Sequence, residues 1–369
     1  VRAIKYVMKI NNIFLFLILF LLFSCRQGKD KQENVTFFSI ENFDGKELNV
    51  DECFSYVKLL PLQLDTNRII GQIKDVCVIG DTIFLLDEIT SALYSFDKNS
   101  GQCLASVLKK GHGPNEYINP VALSVNAENL YVLDMPTSRI IKFDKGLNAV
   151  ENVQFDFPAS DFIVLDNGFL LYNLTPTSEK GKFVYISSKG EYVNSFVFPG
   201  KRDNFNSVLG GGKTFFKNEE SDVFVFESYS DIVYKWDNDS LQPVCRMDFG
   251  KWGIPSNMSR YNINLFEEPY AFSGNVFMLS DMFIPSFFYK SRRYYGFIPL
   301  SGGESVFGIV KDKCYGIPFF PKWQYGNELI GVCLRELAEK YFEENGIHNE
   351  GIVDKEFTQE QPVLVFYVR

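Results

Sequence analysis

The sequence predicts an all-β chain built as a β-propeller of four-stranded antiparallel blades. Three observations carry that expectation: an internal repeat, an aromatic load that suits strands, and a single credible helix. Phe84 to Asp97 (FLLDEITSALYSFD) aligns without gaps on Tyr131 to Asp144 (YVLDMPTSRIIKFD) at an offset of 47 residues. Asp87 falls on Asp134, Thr90-Ser91 on Thr137-Ser138, and Phe96-Asp97 on Phe143-Asp144. Phe224 to Asp237 is a third copy at an offset of 140, close to three periods. Between them, Gly168 to Asn173 and Phe183 to Ser187 form a weaker copy with a longer loop. Short strands at this period mean blades around an axis, because one blade alone cannot bury both its faces. The 37 Phe and 19 Tyr fit strands better than helices. The repeated acids close strands, so they read as turn residues that bond their own backbone, not as catalytic carboxylates.

The blades follow in order. The first runs from about Ile69 to Lys109, the second from Gly111 to Phe157, the third from Pro158 to Pro199, the fourth from Lys213 to Trp252. A fifth carries apolar runs at Val276 to Leu279, Phe287 to Tyr289, Tyr294 to Pro299 and Val306 to Val310. The next begins near Cys314 and is interrupted by the helix. There Leu334, Leu337, Ala338, Tyr341 and Phe342 keep helical spacing, and Asn345-Gly346 is a plausible stop. Pro362 to Val368 (PVLVFYV) is a strongly apolar strand. A ring must close to remove its open edges, so this strand is expected to share a blade with the segment around Tyr56 to Leu64.

The N-terminus reads separately. Arg2, Lys5 and Lys9 precede Ile13 to Phe23, an unbroken apolar run too short for a comfortable membrane span and of signal-peptide length. It ends in Leu22-Phe23-Ser24-Cys25, which resembles the lipobox of bacterial lipoproteins, with Phe23 bulkier than usual. The expectation is a signal peptide over 1–24, lipidation at Cys25, a polar tether over 25–50, and the propeller over 51–369. The start of translation is left open between Val1 and Met8. A lipid plus a tether implies a bacterial envelope protein anchored to the outer membrane, on either face. The remaining cysteines form no CxxC pair, so zinc and thioredoxin chemistry are not expected, and buried free thiols are. A net charge of -9 without a basic run argues against nucleic acid.

The organisation resembles the six-bladed β-propeller lipoproteins related to NHL-repeat and TolB-like propellers. The carrying residues are Lys110 to Tyr117 (KGHGPNEY), Leu130 to Asp134, Arg139 to Asp144, Asp231 to Tyr234, Asp248 to Lys251 and Gln361 to Tyr367. The resemblance implies six blades, export and a lipid anchor. It carries over no catalytic residues.

Candidate chemistry is sparse. Only His112 and His348 are present, so a His-rich metal site is excluded. No cofactor or metal is expected. His348 lies in a polar insert. His112, Asn115, Glu116 and Tyr117 sit in the loop before an inner strand, where they line one rim of the channel or simply satisfy a turn in which Gly111 and Gly113 supply unusual φ. Gly210 to Thr214 lacks the first glycine of a phosphate loop, and Asp237 to Ser240 breaks a calcium loop at Leu241. Lys290 to Tyr295 (KSRRYY) could grip an acidic or sugar ligand by stacking and hydrogen bonds, or simply be a turn and a strand start. The leading function is a non-enzymatic, membrane-anchored module whose rim or channel binds a glycan, peptide or protein. The alternatives are a hydrolase or lyase using channel carboxylates, perhaps with a metal, and a scaffold docking through the helix. Acids converging on the inner strands would favour the enzyme.

Overall fold

In the computed structural model, residues 35–64, 68–113, 115–199, 213–228, 230–255, 269–346 and 362–369 are described. Three strands precede the repeats: β1 (Thr36–Ser39), β2 (Glu47–Asn49) and β3 (Tyr56–Pro61). The first blade is β4 (Ile73–Ile79), β5 (Thr82–Asp87), β6 (Leu93–Asp97) and β7 (Cys103–Val107). The second is β8 (Pro120–Val125), β9 (Leu130–Asp134), β10 (Arg139–Phe143) and β11 (Ala149–Gln154). The third is β12 (Ala159–Leu165), β13 (Gly168–Asn173), β14 (Phe183–Ser187) and β15 (Tyr192–Phe196). The fourth holds β16 (Phe215–Lys217), β17 (Val223–Phe226), β18 (Ile232–Asp237) and β19 (Ser240–Asp248). The fifth holds β20 (Phe272–Met278), β21 (Met282–Tyr289), β22 (Arg292–Pro299) and β23 (Val306–Lys311). The sixth combines β24 (Trp323–Tyr325), β25 (Glu328–Leu334) and β26 (Pro362–Val368) with β3 as its outermost strand. The fold is therefore the expected all-β six-bladed propeller, with the helix Arg335–Glu344 between β25 and β26.

Closure is antiparallel, with Val363 opposite Pro61 and Val368 opposite Tyr56. One apolar cluster fills each junction between neighbouring blades. Each is supplied by strand faces that alternate with the pleat, so the core is a ring of six wedges rather than one centre.

The tether boundary moves. Of the 25–50 segment, residues 36–50 are built into the propeller. β1 extends the fourth blade and β2 pairs in parallel with β23, extending the fifth. Between them Phe43 is fully buried, edge-on to Phe287, Tyr289 and Tyr294 at 4.9, 5.3 and 5.2 Å. Burying an aromatic side chain among rings outweighs the polar composition that suggested a tether.

The helix also departs from its expected face. Ala338 and Phe342 are buried, but Leu334 and Leu337 remain 60% and 42% exposed. Arg335 takes the inner position instead, its guanidinium over the Phe342 ring.

Candidate functional site

Strand direction places every loop that leads into an inner strand on one rim, together with the connections between second and third strands. The repeated acids work at this rim as structural clips. Asp87 Oδ1 accepts Gln72 N–H at 2.9 Å and its Oδ2 accepts the Thr90 hydroxyl at 2.5 Å. Asp134 repeats the pattern with Ile118 and Asn119 N–H and Thr137.

The loop from His112 to Tyr117 is not one site. His112 and Asn115 are exposed. Glu116 folds back to accept the Gly113 N–H at 2.8 Å. Tyr117 is fully buried in the junction between the first two blades, its ring covered and its hydroxyl 3.4 Å from Val107 O. Arg139 clamps the loop by donating to the carbonyls of Gly113 and Glu116. Gly111 and Gly113 are not among the positive-φ residues. The space at Gly111 is what matters, since a Cβ there would lie 2.1 Å from the Glu116 carboxylate. His348 and Cys25 lie outside the described residues.

The inner strands bring together a cluster that the sequence reading did not single out. Register shifts follow Ile73, Pro120 and Ala159 in the first three blades, so Asp75, Ala122 and Asp161 occupy matching positions. Such bulges re-aim a side chain. Asp75 and Asp161 both reach Lys213, at 2.7 and 2.9 Å, and Lys213 also donates to Leu123 O at 3.0 Å. Each acid binds a backbone N–H of the following blade as well: Asp75 takes Leu123 N–H and Asp161 takes Thr214 N–H. Asp75 is buried and that burial pushes its carboxyl up, against the pull of Lys213. Burial alone would lower Lys213, but the two carboxylates reverse this and raise it. Every carboxylate oxygen here accepts a hydrogen, and each of the three ammonium hydrogens has an acceptor. The hub pins four blades together.

A concavity of about 400 Å³ opens where the fifth blade meets the connection to the sixth. Its walls include Arg292, Arg293 and Tyr295 from β22, Ile309 and Lys311 from β23, and Ile317, Phe319 and Phe320 beyond. The KSRRYY segment is a turn and a strand start, as one of its two readings had it, and it also lines this groove. Lys290 and Ser291 turn the hairpin with φ of 47° and 61°, and the residues after them line the groove. The Arg293 guanidinium is 4.8 Å from the Phe288 centroid and 5.2 Å from that of Phe320. Its Nε is buried without a hydrogen-bond partner. Asp312, the acid at the groove, is spent on the N–H groups of Cys314, Tyr315 and Ile317. Burial pushes the Tyr295 phenol up to about 12, with Arg293 opposing.

No group of His, Cys, Asp and Glu among the described residues is arranged to hold a metal. The six thiols described are free, and Cys53, Cys245 and Cys333 are buried, which pushes each up to about 12. Cys314 is exposed, against the expectation that all are buried.

These features define a six-bladed β-propeller with a pinned channel and an open rim groove. The chain belongs to the family described as "Domain of unknown function (DUF4934)", which matches residues 35–367. No curated protein matches the sequence. Among solved structures, it is similar to a Bacteroides fragilis protein described, by inference, as exported: 16% identity, 90% of this chain and 100% of that one, TM-score 0.71. It is also similar to a DUF4221 family member from Bacteroides vulgatus, at 12% identity, 85% and 96% coverage and a TM-score of 0.51. Virginiamycin B lyase of Staphylococcus aureus is more distant, at 10% identity, 74% and 80% coverage and a TM-score of 0.44, and carries no chemistry over. At these identities the likenesses speak for the fold alone. None of these three is described as an NHL-repeat or TolB-like lipoprotein.

Proposed function

We propose that this protein is an exported, lipid-anchored binding module that holds a glycan, peptide or protein partner at the propeller rim without altering it. The observation that carries the reading is the open groove of about 400 Å³, where Arg292 and Arg293 meet an apolar wall of Ile317, Phe319 and the exposed Phe320. A concave, largely apolar surface with a few polar groups is the usual form of a ligand site. The signal-like run before Cys25 and the likeness to a protein described as exported support the location. A glycan, metabolite and peptide screen tests the function: saturable binding should fall at least tenfold in Arg293→Ala and in Phe320→Ala. A ligand that binds both variants as well as the parent chain would remove the groove from consideration. Anchoring is tested apart from binding, since Cys25→Ala should abolish lipid labelling.

A second reading rests on the hub. Two carboxylates do converge on the channel, which is the arrangement expected of a propeller hydrolase or lyase. Their oxygens and the Lys213 ammonium are all committed within the protein, however. Acid or base catalysis needs a group that can reach the substrate's proton, and the hub offers none without opening.

A further inference from the structure

The β23 wall of the groove is held from behind by the segment that opens the propeller. β23 changes partner halfway along. It pairs with β22 from Val306 to Gly308, and that ladder stops where Gly308 faces Tyr295, although β22 reaches back to Arg292 and β23 runs on to Lys311. Beyond that point β22 stays with β21, down to Arg292 opposite Tyr289. β23 turns to β2, with Ile309, Val310 and Lys311 opposite Glu47, Leu48 and Asn49. The groove lies in this fork, and those three β23 residues line it. The strap that carries β2, residues 40–49, grips the wall closely. Lys46 O accepts the Ile309 N–H at 2.9 Å, Glu47 pairs with Lys311 at 2.8 Å, and Asn49 Oδ1 accepts the Lys313 N–H at 3.4 Å. Gly308 permits the approach, since a Cβ there would lie 2.9 Å from Leu48 Cγ and 3.0 Å from Lys46 O. The strap's own anchor is elsewhere. Phe43 fills a box of Trp252, Phe287, Tyr289 and Tyr294 at the junction of the fourth and fifth blades, and none of these five residues lines the groove. A strand end that loses its partner is left with unpaired N–H and C=O groups, and such units open locally before the whole fold does.

We propose that the strap is a latch on the groove. Docked through Phe43, it fixes the wall from Ile309 to Lys311 and keeps the site formed; undocked, it frees that wall and the site is lost. The latch rests on the reading of the groove as a binding surface. By linkage, a ligand in the groove would hold the strap down, and load on the chain ahead of Ile40 would weaken binding.

The test is hydrogen–deuterium exchange of the whole chain, followed at the strap (Ile40 to Asn49), at the wall (Ile309 to Phe320) and, as a control, at β9 and β10 of the second blade. Each variant is read at the far end of the latch. Phe43→Ala empties the box without touching the wall, and wall exchange should rise about tenfold or more. Gly308→Ala crowds Leu48 and Lys46, and exchange around Phe43 should rise by a similar factor. Phe43→Leu refills the box in part and should restore most of the protection. The control strands should stay within about twofold of the parent chain throughout. A wall as protected in Phe43→Ala as in the parent would reduce the strap to an edge cover and overturn the latch. An unmoved strap in Gly308→Ala would do the same. So would an equal rise in all three regions, which would mean a general loss of stability. None of these results touches the binding reading, which the ligand screen with Arg293→Ala and Phe320→Ala decides separately.

Discussion

The channel hub and the rim groove both place basic side chains among apolar walls, yet they are opposites. In the hub Lys213 meets Asp75, Asp161 and Leu123 O, and nothing is left over. In the groove Arg293 packs near Phe288 and Phe320 on the side of an open apolar concavity. A buried polar network that is fully satisfied rigidifies a fold, whereas one left open costs stability until something binds. Charge in a cavity therefore does not mark function by itself.

The largest expected effect tests the closed half of that contrast. Lys213→Met leaves two carboxylates close together without their counter-ion. Breaking a buried pair from one side costs about 3–5 kcal/mol, and urea denaturation should show a loss at the lower end, because Lys213 is partly accessible. The pH dependence has a definite sign. The folded-state pKa of Lys213 is raised, so its contribution is complete below the unfolded value of about 10.4 and declines as pH rises from there. The gap between the parent and variant chains should narrow above that pH. A variant as stable as the parent would mean that the hub is no pin, and would return its carboxylates to the list of catalytic candidates.

Much of the fold was legible because blades repeat. Asp87 and Asp134 could be recognised as clips from their shared offset, and β3 could be paired with β26 from the need for closure. The hub was hidden by the same regularity. Asp75 stands where the second blade has Ala122, and it lies inside an apolar strand, Ile73-Lys74-Asp75-Val76-Cys77-Val78-Ile79. That misplaced acid was a signal, as was Asp161. Lys213 was not, because it follows a glycine run that reads as loop. For the groove, Arg292 and Arg293 were visible as a motif, but Lys311 and Phe320 reach them only through the hairpin and the blade connection. The first and fifth blades both send a loop to the same rim. The loop with the more distinctive sequence, His112 to Tyr117, turned out to be the more self-contained.

The remaining tests pull that loop apart, in descending order of effect. Tyr117→Ala removes a fully buried ring and should cost about 3–5 kcal/mol, read as a shift in the urea midpoint. Glu116→Ala should cost about 1 kcal/mol, the net worth of the N–H bond it accepts from Gly113. His112→Ala, at an exposed position, should change stability by less than about 0.5 kcal/mol. This gradient is what a structural turn predicts and what a ligand site does not, because binding residues at a rim would share an effect on affinity and little on stability. The reverse pattern, a stable Tyr117→Ala chain or a His112→Ala chain that loses the ligand of the Arg293 groove, would tie the first blade's rim to the fifth's. The binding surface would then run across the mouth of the channel instead of ending at one groove.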